Sequence, residues 1–450
     1  MMTFPDNGRP ASVSRENHAP LRILFLSKNT SLGGSMRVLS YVLKYLDKQR
    51  FAPTVIARDG GDLLPEYRRY APTYVYGEDK RHLLLTSLER SFAGALKRVI
   101  AKKEKRHGRR WLQAMMGRIR PHLIVHNYHA AIPLFDGVPK GDVPAIQIVS
   151  MYGAALNSLG SAQIEKFVDR ATHFICQGKN VREFAHDCLG IPLGRISTVC
   201  VGVDLAVPDH QLGKAKRVQR SDLGISEKDL VIATCGPLNY HKAPDIWLKA
   251  AALLQARRNQ QPLKFIWIGG TERQLAGLYG RSVLRLRGEL GLDPYVVITG
   301  YQQEVYPYLD LCDIYVQPSR DDAFPHAILE AMALGKPAVS FRQGVAAEDY
   351  AKDALVCVGV VSPEALAAGI ADLMDHPLRR QTLGAAGRRL IETRFEAAAT
   401  VRAYQDVLTT VIEKSGQGRH FGKAKTPRAL KRPSPAAALD PERGGQVGSR

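Results

Sequence analysis

Acidic residues are the component in shortest supply: the 450-residue chain carries 43 Asp and Glu against 63 Lys and Arg, a net charge of +20. The excess is not spread evenly. Residues 90–120 hold eleven Lys/Arg and one Glu, and residues 414–450 hold nine Lys/Arg and two acids. The remainder is nearly balanced, which excludes a surface that coats nucleic acid and leaves two local basic devices. Cysteine is sparse too. Cys176, Cys188, Cys200, Cys235, Cys312 and Cys357 form no C-x-x-C pair. That excludes a disulfide framework or zinc ribbon and reads as reduced, buried thiols of a cytosolic protein. No apolar run approaches the roughly 20 residues that span a bilayer. The first twenty residues lack the apolar core of a signal peptide. No short repeat is present, which excludes a solenoid.

What is present is a globular chain, 45% apolar, long enough for two or three domains. Residues 1–20 read as a flexible leader. From Leu21 onward, short apolar runs alternate with helical periodicity, the pattern of parallel βα folding. Strands are expected at Leu21–Leu26, Ala52–Ala57, Leu123–His126, Ala145–Val149, Phe174–Gln177 and Ile196–Cys200. Residues 62–80 read as irregular. His82 to Gly117 reads as helical and basic. It is either one or two surface helices with a solvated face or an interfacial region facing anionic lipid or an acidic acceptor, and the cations beside Trp111, Met115 and Met116 favour the second reading. Residues 205–222 are polar and basic and read as a linker or domain boundary. The alternation then restarts, with strands at Leu230–Thr234, Lys264–Ile268, Val296–Thr299, Ile314–Val316 and Ala338–Phe341. The expected domains are therefore 21–204 and 205–395. A final helix over 396–413 follows, then a basic, aperiodic tail over 414–450 that reads as disordered.

Three places carry chemistry. The stretch from Cys312 to Phe341 reads as strand, charged loop, helix and strand, with Asp322 before the helix and Glu330 inside it. Ligands of open α/β sheets bind at the carboxyl ends of strands, where this loop falls. Gly33 and Gly34 lie between the first strand and the first helix. They are either a tight turn or a place where backbone N–H groups approach a phosphate. His241 and Lys242 follow a strand and precede a helix. Lys242 is a compact charge suited to a diphosphate, or a solvated surface lysine. Glu330 accepts hydrogen bonds only and suits paired ribose hydroxyls, or it is a solvated helix-face carboxylate.

The stretch PSRDDAFPHAILEAMALGKPAVSF resembles the donor-site signature of the family 4 retaining glycosyltransferases. SLGGSMRVLSYVL, VCVGVD, GPLNYHKAPDIWLKAA and VVITGYQQEVYPYLDLCDIYVQPS resemble other segments of that family, in the family's order. The resemblance covers about residues 21–413. It implies a GT-B architecture, α/β, with two Rossmann-like domains facing a central cleft. It implies transfer of a sugar, with retention, from a nucleotide-diphosphate-sugar to a glycan or lipid-linked acceptor, without metal or other cofactor. Such a protein is expected in cell-surface polysaccharide or lipopolysaccharide biosynthesis, in the cytoplasm and in contact with the inner face of the plasma membrane through residues 90–120. Carried over by motif, Glu330 binds the donor ribose, Asp322 contacts the sugar, and Lys242 holds the diphosphate beside His241. The amides of Gly33, Gly34 and Gly236 approach the phosphates. Ala323, Phe324, Pro325, His326 and Ala327 line the sugar and diphosphate pocket.

The sequence also departs from the pattern. Asp322 stands for a glutamate, Pro237 for a basic residue, His241 for an arginine and Val201 for an asparagine. The segment Gly344–Glu348 has one glycine fewer than usual. Ser150, Met151 and Tyr152 occupy the neighbourhood of a sugar-contacting histidine, so Tyr152, His126 and His129 are the candidates for that contact. Two other readings compete: a different enzyme on the same fold, a sugar-nucleotide epimerase or a glycan phosphorylase, and a weakly active or inactive relative that serves as a nucleotide-sugar binder or scaffold.

Overall fold

The computed structural model describes residues 19–91, 94–127, 138, 143–149, 161–213, 218–257, 261–348 and 351–416. The leader before residue 19 and the tail beyond residue 416 lie outside them.

Two wholly parallel sheets organise the chain. The first contains β1 (Leu21–Ser27), β2 (Phe51–Ala57), β3 (Thr73–Val75), β4 (Leu123–His126), β5 (Ala145–Val149), β6 (His173–Cys176) and β7 (Ile196–Thr198). Their spatial order is β3-β2-β1-β4-β5-β6-β7. The second contains β8 (Leu230–Cys235), β9 (Leu263–Ile268), β10 (Val296–Ile298), β11 (Ile314–Gln317), β12 (Ala338–Phe341) and β13 (Val356–Val358), ordered β10-β9-β8-β11-β12-β13. The central strands are apolar on both faces because helices cover both, as continuous runs such as Ile23–Leu26 require. In each sheet the strand order reverses once, between β1 and β4 and between β8 and β11. These reversals open crevices at the carboxyl ends, the ligand positions of doubly wound sheets.

The chain passes between the sheets twice, and both passages meet at one point. Val203 N–H donates to Phe395 O at 2.7 Å, and Ala397 N–H donates to Val203 O at 2.9 Å. The following helix, Ala397–Gly416, runs onto the first domain. Its Val401, Tyr404, Leu408 and Val411 share a buried cluster with Met36, Leu39 and Leu43.

Three expectations need correction or refinement. Residues 62–80 are not irregular: they form the helix Leu64–Tyr70, strand β3 and a 3-10 turn at Tyr76–Glu78. These elements are too short to show periodicity, yet Tyr67 is fully buried and its hydroxyl donates to Met36 O at 2.7 Å. The 205–222 segment falls between the two sheets, where a linker or domain boundary is expected, but it is partly helical. It contains the helix Ala206–Gly213, whose Gln211 side chain accepts from Tyr306 N–H at 3.3 Å. Nor are all six thiols buried: all are free, but Cys357 is exposed.

The basic region folds as a helical hairpin, Lys80–Ser91 and Gly94–Ile119. Its one acidic residue beyond Arg90, Glu104, accepts from Tyr76 OH at 3.1 Å and pairs with His82 at 3.0 Å. Trp111, Leu112, Met115 and Met116 do not form its outer face as the sequence suggested. They pack inward with Tyr76 and Leu26. The apolar residues left exposed are Leu83, Leu84, Leu88, Leu96 and Val99. Among the described residues no helix is long and apolar enough to cross a membrane.

Candidate functional site

The second domain's crevice holds most of the predicted residues. After β8 the chain turns at Gly236 and forms a short 3-10 turn, Tyr240–Lys242, capped by the Asn239 side chain, which accepts from Lys242 N–H at 3.0 Å. Gly269, after β9, makes this turn possible. Its φ is +130°, and a Cβ there would lie 2.3 Å from Gly236 O. The side chain of Lys242 lies over Gly236, where an added Cβ would meet its methylenes at 3.5 Å. The ammonium of Lys242 hydrogen-bonds Asp322, in the loop after β11, so two of the residues predicted from the sequence are in direct contact.

Asp322 is held from several sides. Ser319 Oγ donates to its Oδ2 at 3.2 Å, and its own N–H donates to Gln343 Oε1 at 2.8 Å. Arg320 forms a bidentate pair with Asp245, at 2.9 and 2.5 Å, while its guanidinium lies 4.2 Å above the Tyr240 ring. Burial alone would raise the Asp245 carboxyl, but the Arg320 pair and the Tyr279 hydroxyl bring it below the usual carboxylate range. This pair ties the β8 loop to the β11 loop and so fixes the walls of the crevice. His241 contributes its backbone here: its carbonyl accepts from Arg320 N–H at 2.8 Å.

Beyond Asp322, the side chains of Ala323 and Phe324 are buried. Ala323 joins an apolar cluster of the first domain with Val149, Phe174 and Cys176, and Phe324 packs on Phe395 at 5.6 Å. Pro325 caps the helix His326–Ala333 without a side-chain hydrogen bond, so its first amides are left for a partner. Ala327, in the first turn, is only partly buried. The His326 ring is buried and neither nitrogen has a hydrogen-bond partner. Burial lowers its pKa to about 4, against the opposing pull of Asp322, so the ring is neutral near pH 7.

One turn further, burial raises the pKa of the Glu330 carboxyl, and Arg37 opposes the shift. Arg37 belongs to the first domain, on the helix Gly34–Tyr45, and pairs with Glu66 at 3.4 Å. Gly33 and Gly34 begin that helix. Gly33 has an extended φ of −170°, and an added Cβ at Gly34 meets nothing within 4 Å. The double glycine therefore provides space above the helix N-terminus rather than an unusual backbone angle. His126, at the carboxyl end of β4, lies in the same crevice as this loop. Its ring is 2% exposed, and burial lowers its pKa to about 4. His129 and Tyr152 lie outside the described residues.

The two crevices face each other and touch at their edges. Tyr301 OH donates to Asp62 Oδ2 at 2.7 Å. Glu348 Oε1 accepts from Lys179 N–H, at the start of the helix Lys179–Asp187, at 2.7 Å. Arg37, Gly269, Gln343 and Tyr301 were not singled out from the sequence, and Glu348 entered only as the end of the Gly344–Glu348 segment. Of the first four, only Arg37 offered a signal, a cation in the first turn after the double glycine. The site therefore presents unsatisfied helix amides, a lysine, two carboxylates and a buried neutral imidazole around one cleft. That set suits a phosphate flanked by hydroxyl-bearing groups.

Known proteins agree with this description. The family model for glycosyltransferase family 4 matches residues 32–207, and that for glycosyl transferases group 1 matches residues 215–390. A D-inositol 3-phosphate glycosyltransferase from Thermobispora bispora is 26% identical over 68% of this chain and 71% of its own length. The lipopolysaccharide core biosynthesis glycosyltransferase LpsD of Rhizobium meliloti is 27% identical over 48% of this chain and 64% of its own length. Among solved structures, Anabaena HepE in complex with UDP and glucose superposes with a TM-score of 0.66 at 17% identity, over 87% of this chain and all of that one. At that identity the likeness is one of fold, the GT-B arrangement of two facing domains.

Proposed function

Because this chain belongs to the family 4 glycosyltransferases, with the GT-B fold, we propose that it moves a sugar, with retention, from a nucleotide-diphosphate-sugar to a glycan or lipid-linked acceptor of a cell-surface polysaccharide or lipopolysaccharide. The observation that carries this reading is the contact of Lys242 with Asp322 at the second domain's switch point, opposite the open glycine loop of the first. The solved relative bound to UDP and glucose supports a nucleotide sugar as the ligand.

In this reading the diphosphate lies between the amides of Gly33 and Gly34, the Lys242 ammonium and the amides that open the helix His326–Ala333. Gly236 leaves room for Lys242 to lie close. Glu330 accepts from the ribose hydroxyls and Asp322 from a sugar hydroxyl. As the bond from the anomeric carbon to the diphosphate oxygen lengthens, negative charge grows on the diphosphate. Lys242, the amides and the His241 side chain stabilise it. The acceptor oxygen attacks from the face the diphosphate is leaving, and its proton passes to a diphosphate oxygen. No protein nucleophile is required, and neither a metal nor another cofactor takes part. The test is transfer from a panel of nucleotide sugars, with the anomeric configuration of the product read by NMR.

The basic hairpin supplies the acceptor side. Between its helices lies a cavity of about 250 Å³ lined by Leu85, Lys103, Arg106, His107 and Arg110. Exposed leucines beside a stripe of cations suit the inner face of an anionic membrane, which supports a cytoplasmic protein that visits that surface. Each Lys or Arg near such a surface contributes about 1 kcal/mol. The triple variant Lys103→Glu, Arg106→Glu, Arg110→Glu is expected to lose co-sedimentation with vesicles containing phosphatidylglycerol. Wild-type co-sedimentation that ignores salt or the anionic lipid rules this contact out.

A further inference from the structure

Strand β11 carries a polar chain that none of the roles above uses. Tyr315 and Gln317 are two residues apart and so share one face of the strand. Both are buried in what is otherwise an apolar layer, and Ser319 beyond them is 1% exposed. Tyr315 OH donates to Gln317 Oε1 at 2.9 Å. Gln317 Nε2 donates to Ser319 Oγ at 2.7 Å. Ser319 Oγ donates to Asp322 Oδ2 at 3.2 Å, the same oxygen that receives the Lys242 ammonium. The polarity runs one way. A tyrosine hydroxyl kept protonated by burial feeds the amide oxygen. The amide N–H then occupies a lone pair of the serine oxygen, and the serine hydroxyl donates to the Asp322 carboxylate.

This chain matters most when the ligand arrives. Lys242 cannot give its full charge to a diphosphate while it neutralises Asp322. A bound diphosphate draws Lys242 away, and Asp322 is left with the serine hydroxyl as its nearest donor. Resting on the transfer reading above, we propose that Gln317, acting through Ser319, is a positioning residue. It holds Asp322 so that the carboxylate accepts from a hydroxyl of the donor's sugar once Lys242 has turned to the diphosphate. The site then separates the sugar nucleotide from the bare nucleoside diphosphate: both engage Lys242, but only the former gives Asp322 a replacement partner. A buried polar chain of this kind acts as a unit, so its members are coupled.

The test uses the full chain and four variants: Gln317→Met, which keeps length but loses the amide, Ser319→Ala, the two together, and Ser319→Thr, which keeps the hydroxyl. Calorimetry compares UDP, GDP and ADP with their hexose conjugates. A hydrogen bond to a charged group corresponds to about tenfold or more in affinity. Gln317→Met and Ser319→Ala should each lower affinity for the sugar conjugate by that factor and leave the nucleoside diphosphate within about twofold. The double variant should be no worse than the poorer single one, and Ser319→Thr should recover wild-type affinity. Additive losses, or equal losses for both ligand classes, overturn the proposal. Urea midpoints of the same variants, taken without ligand, separate two failures. If the wild type binds no conjugate in the panel, the transfer reading fails and the sugar-positioning role fails with it. Coupled midpoints would then still establish the chain as a structural unit, and additive ones would dissolve it.

Discussion

Lys242→Ala is expected to lower sugar transfer by about 10²–10³-fold, the usual cost of deleting one preorganised donor to a developing anion. The loss should appear in kcat as well as in donor affinity, because charge on the diphosphate grows as the bond to the sugar breaks. Stability should change little. The Lys242–Asp322 pair is partly solvated, and pairs of this kind contribute about 0–1 kcal/mol. Asp322 would also keep the Ser319 hydroxyl. Steady-state kinetics together with the urea midpoint check this. Transfer at near wild-type rate in a folded Lys242→Ala variant removes the lysine from the mechanism. Lys242→Arg is not a conservative control, because the longer fork would sit over Gly236 in place of the compact ammonium.

Gly202→Ala is expected to fail for a different reason. Gly202 sits where the two inter-domain passages cross. A Cβ there would lie 1.7 Å from Phe395 O and 2.7 Å from its Cα. The obstacle is backbone, already fixed by the Val203–Phe395 and Ala397–Val203 hydrogen bonds, so no side chain can rotate away. Overpacking typically costs about 1–3 kcal/mol, occasionally more, and here it also pushes the last helix off the first domain. The urea midpoint should fall markedly, and the transition should broaden as the domains uncouple. Gly34→Ala, where an added Cβ meets nothing, serves as the stability control. A Gly202→Ala midpoint equal to that of wild type contradicts the crossing geometry.

Much of the fold was readable because buried parallel strands are short, uninterrupted apolar runs. Leu123–His126, Ala145–Val149 and Ala338–Phe341 were placed to the residue. Strands β3 and β13, three residues each, were not anticipated, whereas the equally short β7 and β10 were. The hairpin's helices were evident, but not which face was outward. Trp111 and the methionines looked amphipathic because a helix packed on one side has an apolar stripe whether it meets a core or a lipid. For the site, strand-end loops and motif spacing pointed to Lys242, Asp322 and Glu330, and the first two are in contact. What the spacing could not express is contact between distant segments. Arg37 opposite Glu330, Glu348 on the helix that starts at Lys179, and Gln343 on the Asp322 amide depend on how two domains and two loops meet. Gln317 was hidden for the opposite reason: a polar residue at the end of a buried strand looks like the end of that strand.

Transfer itself is the most direct test. The wild-type chain is incubated with UDP-, GDP- and ADP-linked α-hexoses and a lipopolysaccharide-core or lipid-linked glycan acceptor, and the product's anomeric proton is read by NMR. An α-linked product from an α-linked donor is expected, formed at the expense of one nucleotide sugar and lowered about 10²–10³-fold with Lys242→Ala. A β-linked product, or interconversion of nucleotide sugars with no acceptor present, would contradict retaining transfer.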